Sequence, residues 1–309
     1  IVAIISTQIF ASIFDIDLSS SSYFKSNINY FAIILGGALF GTGMMIADGC
    51  SSRSIVKFAQ GDANALVTLL FIAIFAFAST KGILFGVVNG FINNQFMIDI
   101  SSNLSNFTLN IYFVLVILVL ILAYFVKKVK RVFSLYDGVI IGFLIGFAWF
   151  ISGYIGDESI EKEIQVQALS YVFPSAKTLE FFTSYEVTEL SIGVCIVLGA
   201  VFGAYFSTFF NKKYSFGCTS KMNFNKLKYN MIGGSMMGIG GIMAIGCTVG
   251  QGLSGISTLL FSSFLAIISI GVSGFITGKI LYKKDKLPMC FLFEWEDDDK
   301  KQKPLDYEI

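Results

Sequence analysis

Histidine is absent from the 309-residue chain, proline occurs three times, and charged residues make up only 14%. Without histidine, and with five cysteines that stand singly and form no CxxC pair, the sequence offers no typical zinc or haem site, and no cofactor is expected. A soluble domain carries about a quarter charged residues, so the low charge argues against that class. The net charge of +1 gives no sign of nucleic-acid binding, and no basic stretch is interleaved with aromatic residues.

Apolar residues, in contrast, make up 55% of the chain, and the mean hydropathy is +0.73. A helix that crosses a bilayer needs about 20 mostly apolar residues. Several runs approach or reach that length, and the sequence therefore predicts an all-α polytopic protein of the lipid bilayer. The spanning runs are residues 28–48, 65–78, 109–126, 138–152, 190–210, 229–245 and 257–282.

Two further apolar runs are too short to span. Residues 1–14 have no basic segment or cleavage site typical of a signal peptide, so they are interpreted as the end of a truncated helix. Residues 82–92 cover about half a span and are predicted to be re-entrant or interfacial.

A repeated motif organises the chain. Residues 36–54 read GGALFGTGMMIADGCSSRS, and residues 233–251 read GGSMMGIGGIMAIGCTVGQ. Aligned without a gap at an offset of 197, seven positions are identical. Each copy is a glycine-rich apolar run that breaks at Gly-Cys and then resumes, and such paired interrupted helices are typical of transporters with a central site. The identical pairs are Gly36/Gly233, Gly37/Gly234, Gly41/Gly238, Gly43/Gly240, Ala47/Ala244, Gly49/Gly246 and Cys50/Cys247.

The basic residues predict how the chain is oriented. Lys and Arg cluster at residues 127–131, 212–228 and 283–286, and short basic loops stay in the cytoplasm. With single crossings between these clusters, residues 154–186 form an external loop and the C-terminus is cytoplasmic. The first Gly-Cys segment then enters from outside and the second from inside.

The two copies are therefore predicted to be inverted repeats that meet near the bilayer midplane. The first half comprises residues 1–135 and the second residues 136–285, followed by a cytoplasmic acidic tail at 286–309.

Each break predicts a site for a small anion. Where the helix restarts, its first backbone N–H groups have no partner in the helix and favour negative charge. Thiols at the breaks provide soft sulfur atoms, and neighbouring hydroxyl and amide groups provide further donors. A small anion that contains sulfur suits this combination. The residues predicted to line the path are Gly49, Cys50, Ser51, Arg53, Gly246, Cys247, Thr248 and Gln251.

Simpler interpretations remain open for several residues. Cys195 and Cys290 have the character of small buried apolar residues, and Arg53 is equally well explained as a cytoplasmic anchor. Asp48 lies beside the first break, but its counterpart is Ile245. Glycine pairs spaced by four usually indicate close helix packing. These pairs are Gly37/Gly41, Gly86/Gly90, Gly142/Gly146, Gly199/Gly203 and Gly234/Gly238.

The two Gly-Cys segments, together with GFLIGFAWFISGYIG at residues 142–156, resemble the signature segments of the YeeE/YedE family of sulfur-transport membrane proteins. The resemblance covers most of the chain. It implies a bacterial inner-membrane carrier or channel for thiosulfate, with Cys50 and Cys247 lining a central path. A further family cysteine near the start has no match here, and Cys218 is an uncertain substitute.

The sequence is also compatible with functions other than thiosulfate transport. The protein could move another sulfur or selenium compound, act as a membrane thiol sulfurtransferase, or be a structural subunit without a pore. The lack of histidine to activate a thiol argues against an enzyme. The acidic tail is interpreted as a solvated segment, with docking of a soluble TusA-like sulfur carrier as the alternative.

Overall fold

The computed structural model describes residues 1–14, 16–18, 21, 23–24, 29–93, 133–155, 166–183, 191–210 and 224–283. Its regular elements are helices, which confirms the predicted all-α class. They are α1 (Val2–Ile13), α2 (Tyr30–Ile46), α3 (Ser51–Ala59), α4 (Ala63–Thr80), α5 (Phe85–Asn93), α6 (Phe133–Phe150), α7 (Val172–Thr183), α8 (Ile192–Phe210), α9 (Phe224–Met243) and α10 (Phe261–Lys283), with π-helical turns at Ile151–Ile155 and Gly250–Gly255.

Helices α2 and α9 form the centre of the fold and pack antiparallel through their glycines. A Cβ added to Gly36 would lie 2.8 Å from the carbonyl oxygen of Gly240, and one added to Gly43 would lie 2.7 Å from that of Gly233. Gly36 corresponds to Gly233 in the repeat, and Gly43 to Gly240. In both contacts, therefore, the first glycine of one motif copy meets the eighth residue of the other copy. Only glycine permits backbones to approach so closely.

The remaining motif glycines hold one outer helix on each side of this pair. Gly37 packs against Ser269 of α10, where an added Cβ would lie 2.9 Å from the serine Cβ. Its counterpart Gly234 packs against α4, with the carbonyl oxygen of Thr68 at 2.8 Å. The four helices thus form a layer in the order α4, α9, α2, α10.

Local capping explains where two of these helices begin. The Asn29 side chain accepts hydrogen bonds from the N–H groups of Phe31 and Ala32, at 3.0 and 3.3 Å, and starts α2. Asp62 accepts one from Asn64 N–H at 2.9 Å and starts α4. These side chains satisfy N–H groups that a helix start leaves without partners.

Among the described residues, five stretches are long and apolar enough to cross a membrane. Large apolar side chains on the outer helix faces are more than half exposed, among them Phe143, Phe202, Ile268 and Phe275. Such faces suit lipid rather than water, so the chain is a multi-pass membrane protein. The candidate spans are Tyr30–Ala59, Ala63–Thr80, Tyr136–Tyr154, Ile192–Phe210 and Phe261–Lys283.

The predicted loop at 154–186 is only partly a loop. Residues 166–171 contribute buried side chains to the core, and α7 follows and packs against α4. Pro174 did not prevent this helix, because proline is tolerated in the first turn. The predicted span 109–126, Cys218, Cys290 and the tail 286–309 lie outside the described residues.

Three of the five glycine pairs pack as predicted. Gly37/Gly41 meet α10, Gly234/Gly238 meet α4, and Gly142/Gly146 meet Val2, Ala3 and Ser6 of α1. At the other two pairs an added Cβ would meet no described atom within 4 Å. Those are Gly86/Gly90 and Gly199/Gly203.

Candidate functional site

The two helix breaks have the same backbone structure. At the first, Ala47 N–H bonds to Gly43 O at 2.9 Å and Gly49 N–H to Met44 O at 3.0 Å. At the second, the equivalent bonds from Ala244 and Gly246 are both 2.8 Å, to Gly240 O and Gly241 O. The bond that spans five residues is typical of a Schellman helix end. Each copy of the motif therefore ends its helix in the same way.

Such an ending requires one residue in the left-handed region, which glycine usually supplies. Here Asp48 has a φ of 61° and Ile245 a φ of 59°. Isoleucine is branched at Cβ, so this conformation is a genuine outlier and costs roughly 1–2 kcal/mol. Strain of this kind persists where the surrounding structure enforces it, and it concentrates at functional sites.

A cysteine stands at the start of each following helix. Ser54 N–H bonds to Cys50 O at 3.0 Å, and Gln251 N–H bonds to Cys247 O at 2.8 Å. Cys50 is the N-cap residue of α3, and its side chain does not cap the helix. The first N–H groups of α3 thus lack partners within the helix. The predicted restart with a thiol at each break is present.

The two thiols have different surroundings. Cys50 Sγ lies 3.1 Å from Ser52 Oγ, and its residue is half-buried. Cys247 is fully buried, and its Sγ accepts the N–H of Gly250 at 3.3 Å. Cys247 belongs to a core cluster that includes Phe40, and Cys50 packs against the same cluster. One region of the core therefore contacts both cysteines.

Each cysteine is followed by a hydroxyl that is buried without a hydrogen-bond partner. Ser51 Oγ and Thr248 Oγ1 both lack one among the described residues. They occupy equivalent positions in the two copies of the motif. A buried hydroxyl without a partner costs free energy, and a ligand or water would satisfy it. This pair is consistent with the predicted polar path.

Gln251 and Arg53 occupy positions unlike those of the thiols. Gln251 Nε2 donates to Ala244 O at 2.5 Å and so ties the helix end before the break to the segment after it. Gln251 Oε1 is buried without a partner among the described residues. Arg53 is exposed, and its aliphatic stem covers Gly49. Arg53 is therefore placed on the outer side of α3.

Asp48, which stands beside the first thiol, is neutralised. Lys57 Nζ donates to Asp48 Oδ2 at 2.9 Å and to the Asp48 carbonyl oxygen at 2.7 Å. The two contacts fix the left-handed residue of the first break to α3. The charge at Asp48 thus has a structural partner in Lys57.

Tyr171 was missed by the sequence analysis. It packs against the core cluster that contacts both cysteines. Burial raises the pKa of Tyr171, and Cys247 and Cys50 raise it further. The phenol is therefore a neutral donor near both thiols. The only signal in the sequence is its place beside Pro174, in a stretch too polar to count as a span.

Tyr23 and Ser170 lie beside the second break. A Cβ added to Gly250 would lie 2.9 Å from Ser170 Oγ and 3.2 Å from Tyr23 OH. Burial and Cys247 raise the pKa of Tyr23, and a hydrogen bond with Ser170 opposes the rise. Ser254 Oγ, a further hydroxyl after the second break, donates to Leu169 O at 2.7 Å.

The two breaks are staggered along the central helix pair. An added Cβ on Gly36 would lie 2.6 Å from Ala244 N, and one on Gly233 would lie 2.8 Å from Ala47 N. Gly36 and Ala47 are eleven residues apart on α2, which corresponds to about 16 Å of helix rise. The helices therefore end at different heights.

Comparison with known proteins identifies the family of the chain. The model of the sulphur transport family matches residues 1–276. The chain belongs to this family. That confirms the resemblance to YeeE/YedE proteins inferred from the two Gly-Cys segments.

Two curated proteins are similar to this chain. The thiosulfate transporter TsuA of Escherichia coli (strain K12) is 20% identical over 262 residues, covering 76% of this chain and 70% of that protein. The thiosulfate transporter TsuA of Spirochaeta thermophila is 24% identical over 302 residues, covering 83% of this chain and 79% of that protein.

Proposed function

We propose that this protein takes up thiosulfate, or a closely similar small sulfur oxyanion, across the bacterial cytoplasmic membrane. The anion would pass Cys247 and then Cys50. The observation that carries the proposal is the pair of matched breaks, each with a thiol and an unpartnered buried hydroxyl beside it. The names of the two TsuA relatives support thiosulfate as the substrate.

The chemistry of the breaks suits such an anion. Helix N–H groups and the hydroxyls of Ser51 and Thr248 would bind its oxygen atoms. A thiol is a weak donor with a polarisable sulfur, so it would contact the terminal sulfur without holding it tightly. Weak sites in series favour permeation, because the ion must leave as readily as it enters. A stagger of about 16 Å would make the cysteines successive sites.

We also propose that the two halves, 1–135 and 136–285, are inverted in the membrane. The antiparallel packing of α2 and α9 supports this arrangement, because Gly36 meets Gly240 and the equivalent Gly233 meets Gly43. The basic clusters support a cytoplasmic C-terminus.

Uptake of labelled thiosulfate into proteoliposomes tests the proposal. Cys50→Ala and Cys247→Ala should abolish or severely reduce uptake, since each removes the thiol at a break. Cys195→Ala is the matched control. The interpretation of Cys195 as a buried residue was wrong, because it is exposed in the uninterrupted helix α8, and its loss should be nearly silent. Cys→Ser should be intermediate if hydrogen bonding dominates and should match Cys→Ala if the sulfur atom is required.

Three further readouts complete the experiment. All variants should retain wild-type abundance and melting temperature, because neither cysteine substitution removes much volume. Intact thiosulfate should be recovered inside the vesicles, whereas release of sulfite would indicate a sulfurtransferase. Wild-type uptake by both alanine variants would show that the cysteines only fill space.

A further inference from the structure

A cavity lies outside the two breaks. It has a volume of about 650 Å³ and is bounded by the C-terminal end of α4 together with α5 and α7. Of the described residues that line it, three are charged: Lys81, Lys177 and Glu180. None of them belongs to the repeated motif, and the proposed path does not use them.

These three charges form a linked group. Lys81 Nζ lies 2.6 Å from Glu180 Oε1, and Lys177 Nζ lies 3.7 Å from Glu180 Oε2. The lysine side chains are 55% and 37% exposed, whereas that of Glu180 is 13% exposed. Hydrogen bonding from Lys81 lowers the pKa of Glu180, so its carboxylate is charged at neutral pH. Two cations thus share one anion, and the group carries a net charge of +1.

The cavity adjoins the core around the thiols. Phe77, Ala176 and Ile242 line its wall. The same three residues belong to, or pack against, the cluster that contains Cys247. A layer of apolar side chains therefore separates the cavity from the second thiol. Orientation from the basic clusters places α7, and with it this cavity, on the external side.

We propose that this cavity is an external vestibule in which Lys81 and Lys177 bind a small doubly charged oxyanion that displaces Glu180. The inference rests on the proposed transport function, for which the vestibule would be the first binding site. Both lysines of these ion pairs are exposed enough to reach an incoming anion, which can compete with the side-chain carboxylate because such pairs are weak. A dianion gains more from two lysines than the single negative charge of Glu180 does.

Glu180 would then act as a tethered competitor. It keeps both ammonium groups in place when the vestibule is empty and sets a minimum charge for the anion that replaces it. Selectivity of this kind comes from a cost imposed on the wrong ligand as well as from contacts with the right one. Monovalent anions would displace Glu180 poorly.

One test of the vestibule does not depend on transport. Thr80 lines the cavity, and the Thr80→Cys variant can be labelled with an anionic sulfonate or a cationic trimethylammonium thiol reagent. The anionic reagent should react faster. The preference should fall about fivefold in Lys81→Ala and Lys177→Ala and should increase in Glu180→Gln. Lys283→Ala, at the end of α10, is the control and should leave it unchanged.

Transport kinetics give the second test. Lys81→Ala and Lys177→Ala should raise the KM for thiosulfate about fivefold with less change in kcat, and Glu180→Gln should lower KM. If the wild-type protein transports thiosulfate while both lysine variants keep the wild-type KM and labelling preference, the vestibule is refuted and the proposed function stands. If labelling behaves as expected but no thiosulfate is taken up, the proposed function fails and the anion site remains.

Discussion

At the scale of single residues, Cys50 and Cys247 are alike in sequence context but differ in how firmly the fold holds their side chains. Cys247 is buried and its Sγ accepts a backbone N–H, whereas Cys50 is half-buried beside a serine hydroxyl. Both residues lie against the same apolar core cluster, so the fold holds the sulfur of Cys247 more firmly than that of Cys50.

Tyr171 provides the residue-scale prediction. If its neutral phenol donates to an anion that moves between the thiols, Tyr171→Phe should reduce thiosulfate uptake severalfold. The change removes one hydroxyl and keeps the ring, so packing against the core cluster should persist. Uptake by proteoliposomes over pH 6–8 measures the effect. Because burial raises the Tyr171 pKa above its already high ordinary value, the wild-type phenol should show no titration in this range.

Tyr136→Phe is the matched control, because Tyr136 is 70% exposed on α6. It should keep wild-type uptake. Equal uptake by the Tyr171 and Tyr136 variants would show that the Tyr171 hydroxyl has no part in transport. A lower melting temperature for Tyr171→Phe alone would assign the hydroxyl to stability instead.

At the scale of helices, glycines determine which faces approach. An added Cβ on Gly240 would lie 2.6 Å from Gly36 O and 2.7 Å from Phe40 N, both backbone atoms that cannot turn aside. One on Gly203 of α8 would meet no described atom within 4 Å. The same residue type therefore serves close packing in one helix and leaves an open face on another.

Alanine substitution should distinguish these two glycines. Gly240→Ala should destabilise the protein by roughly 1–3 kcal/mol, as overpacking in a core does. Gly203→Ala should be neutral or stabilising by up to about 1 kcal/mol, because alanine favours the helix. Thermal unfolding in detergent and abundance in the membrane measure both. Equal melting temperatures would contradict the described packing of α2 on α9.

The helices themselves were largely predictable, because lipid-facing residues make each span apolar over its whole length. The breaks were predictable because the motif occurs twice and the Gly-Cys pair follows each apolar run. What sequence could not indicate is α7 and the buried stretch before it. Lys177 and Glu180 make the sequence of α7 polar. Only the fold reveals that Glu180 pairs with both Lys177 and Lys81, at the end of α4. Tyr171 escaped notice for the same reason.

At the scale of the whole molecule, the proposed vestibule and the two breaks lie at successive depths. The proposed vestibule adjoins the second break, and the first break is displaced from the second by about 16 Å along α2. Cys247 has no exposed surface, so apolar side chains close off its thiol from the vestibule. Passage of an anion would require these side chains to move, as in transporters that open to one side at a time.

Membrane orientation is the last prediction. Helix α4 has 18 residues, and its rise of about 27 Å nearly matches the hydrocarbon core. Gln60 precedes its start, whereas Lys81 at its end contacts Glu180, three residues before Thr183. Gln60 and Thr183 are both exposed and should therefore lie on opposite sides. In a cysteine-poor background, Gln60→Cys should react with an impermeant thiol reagent only from the cytoplasm, and Thr183→Cys only from outside.

Lys283→Cys extends this test to the second half of the chain, because its residue ends α10 within a basic cluster and should react from the cytoplasm. Intact spheroplasts and inside-out vesicles supply the two orientations. If Gln60→Cys and Thr183→Cys were labelled from the same side, α4 would not cross the membrane and the inverted arrangement of the two motifs would be wrong. If they were labelled from opposite sides but in the reverse sense, the repeats would remain inverted and the vestibule would face the cytoplasm. Uptake would then have to begin at the first break, and the order in which the anion meets Cys50 and Cys247 would change.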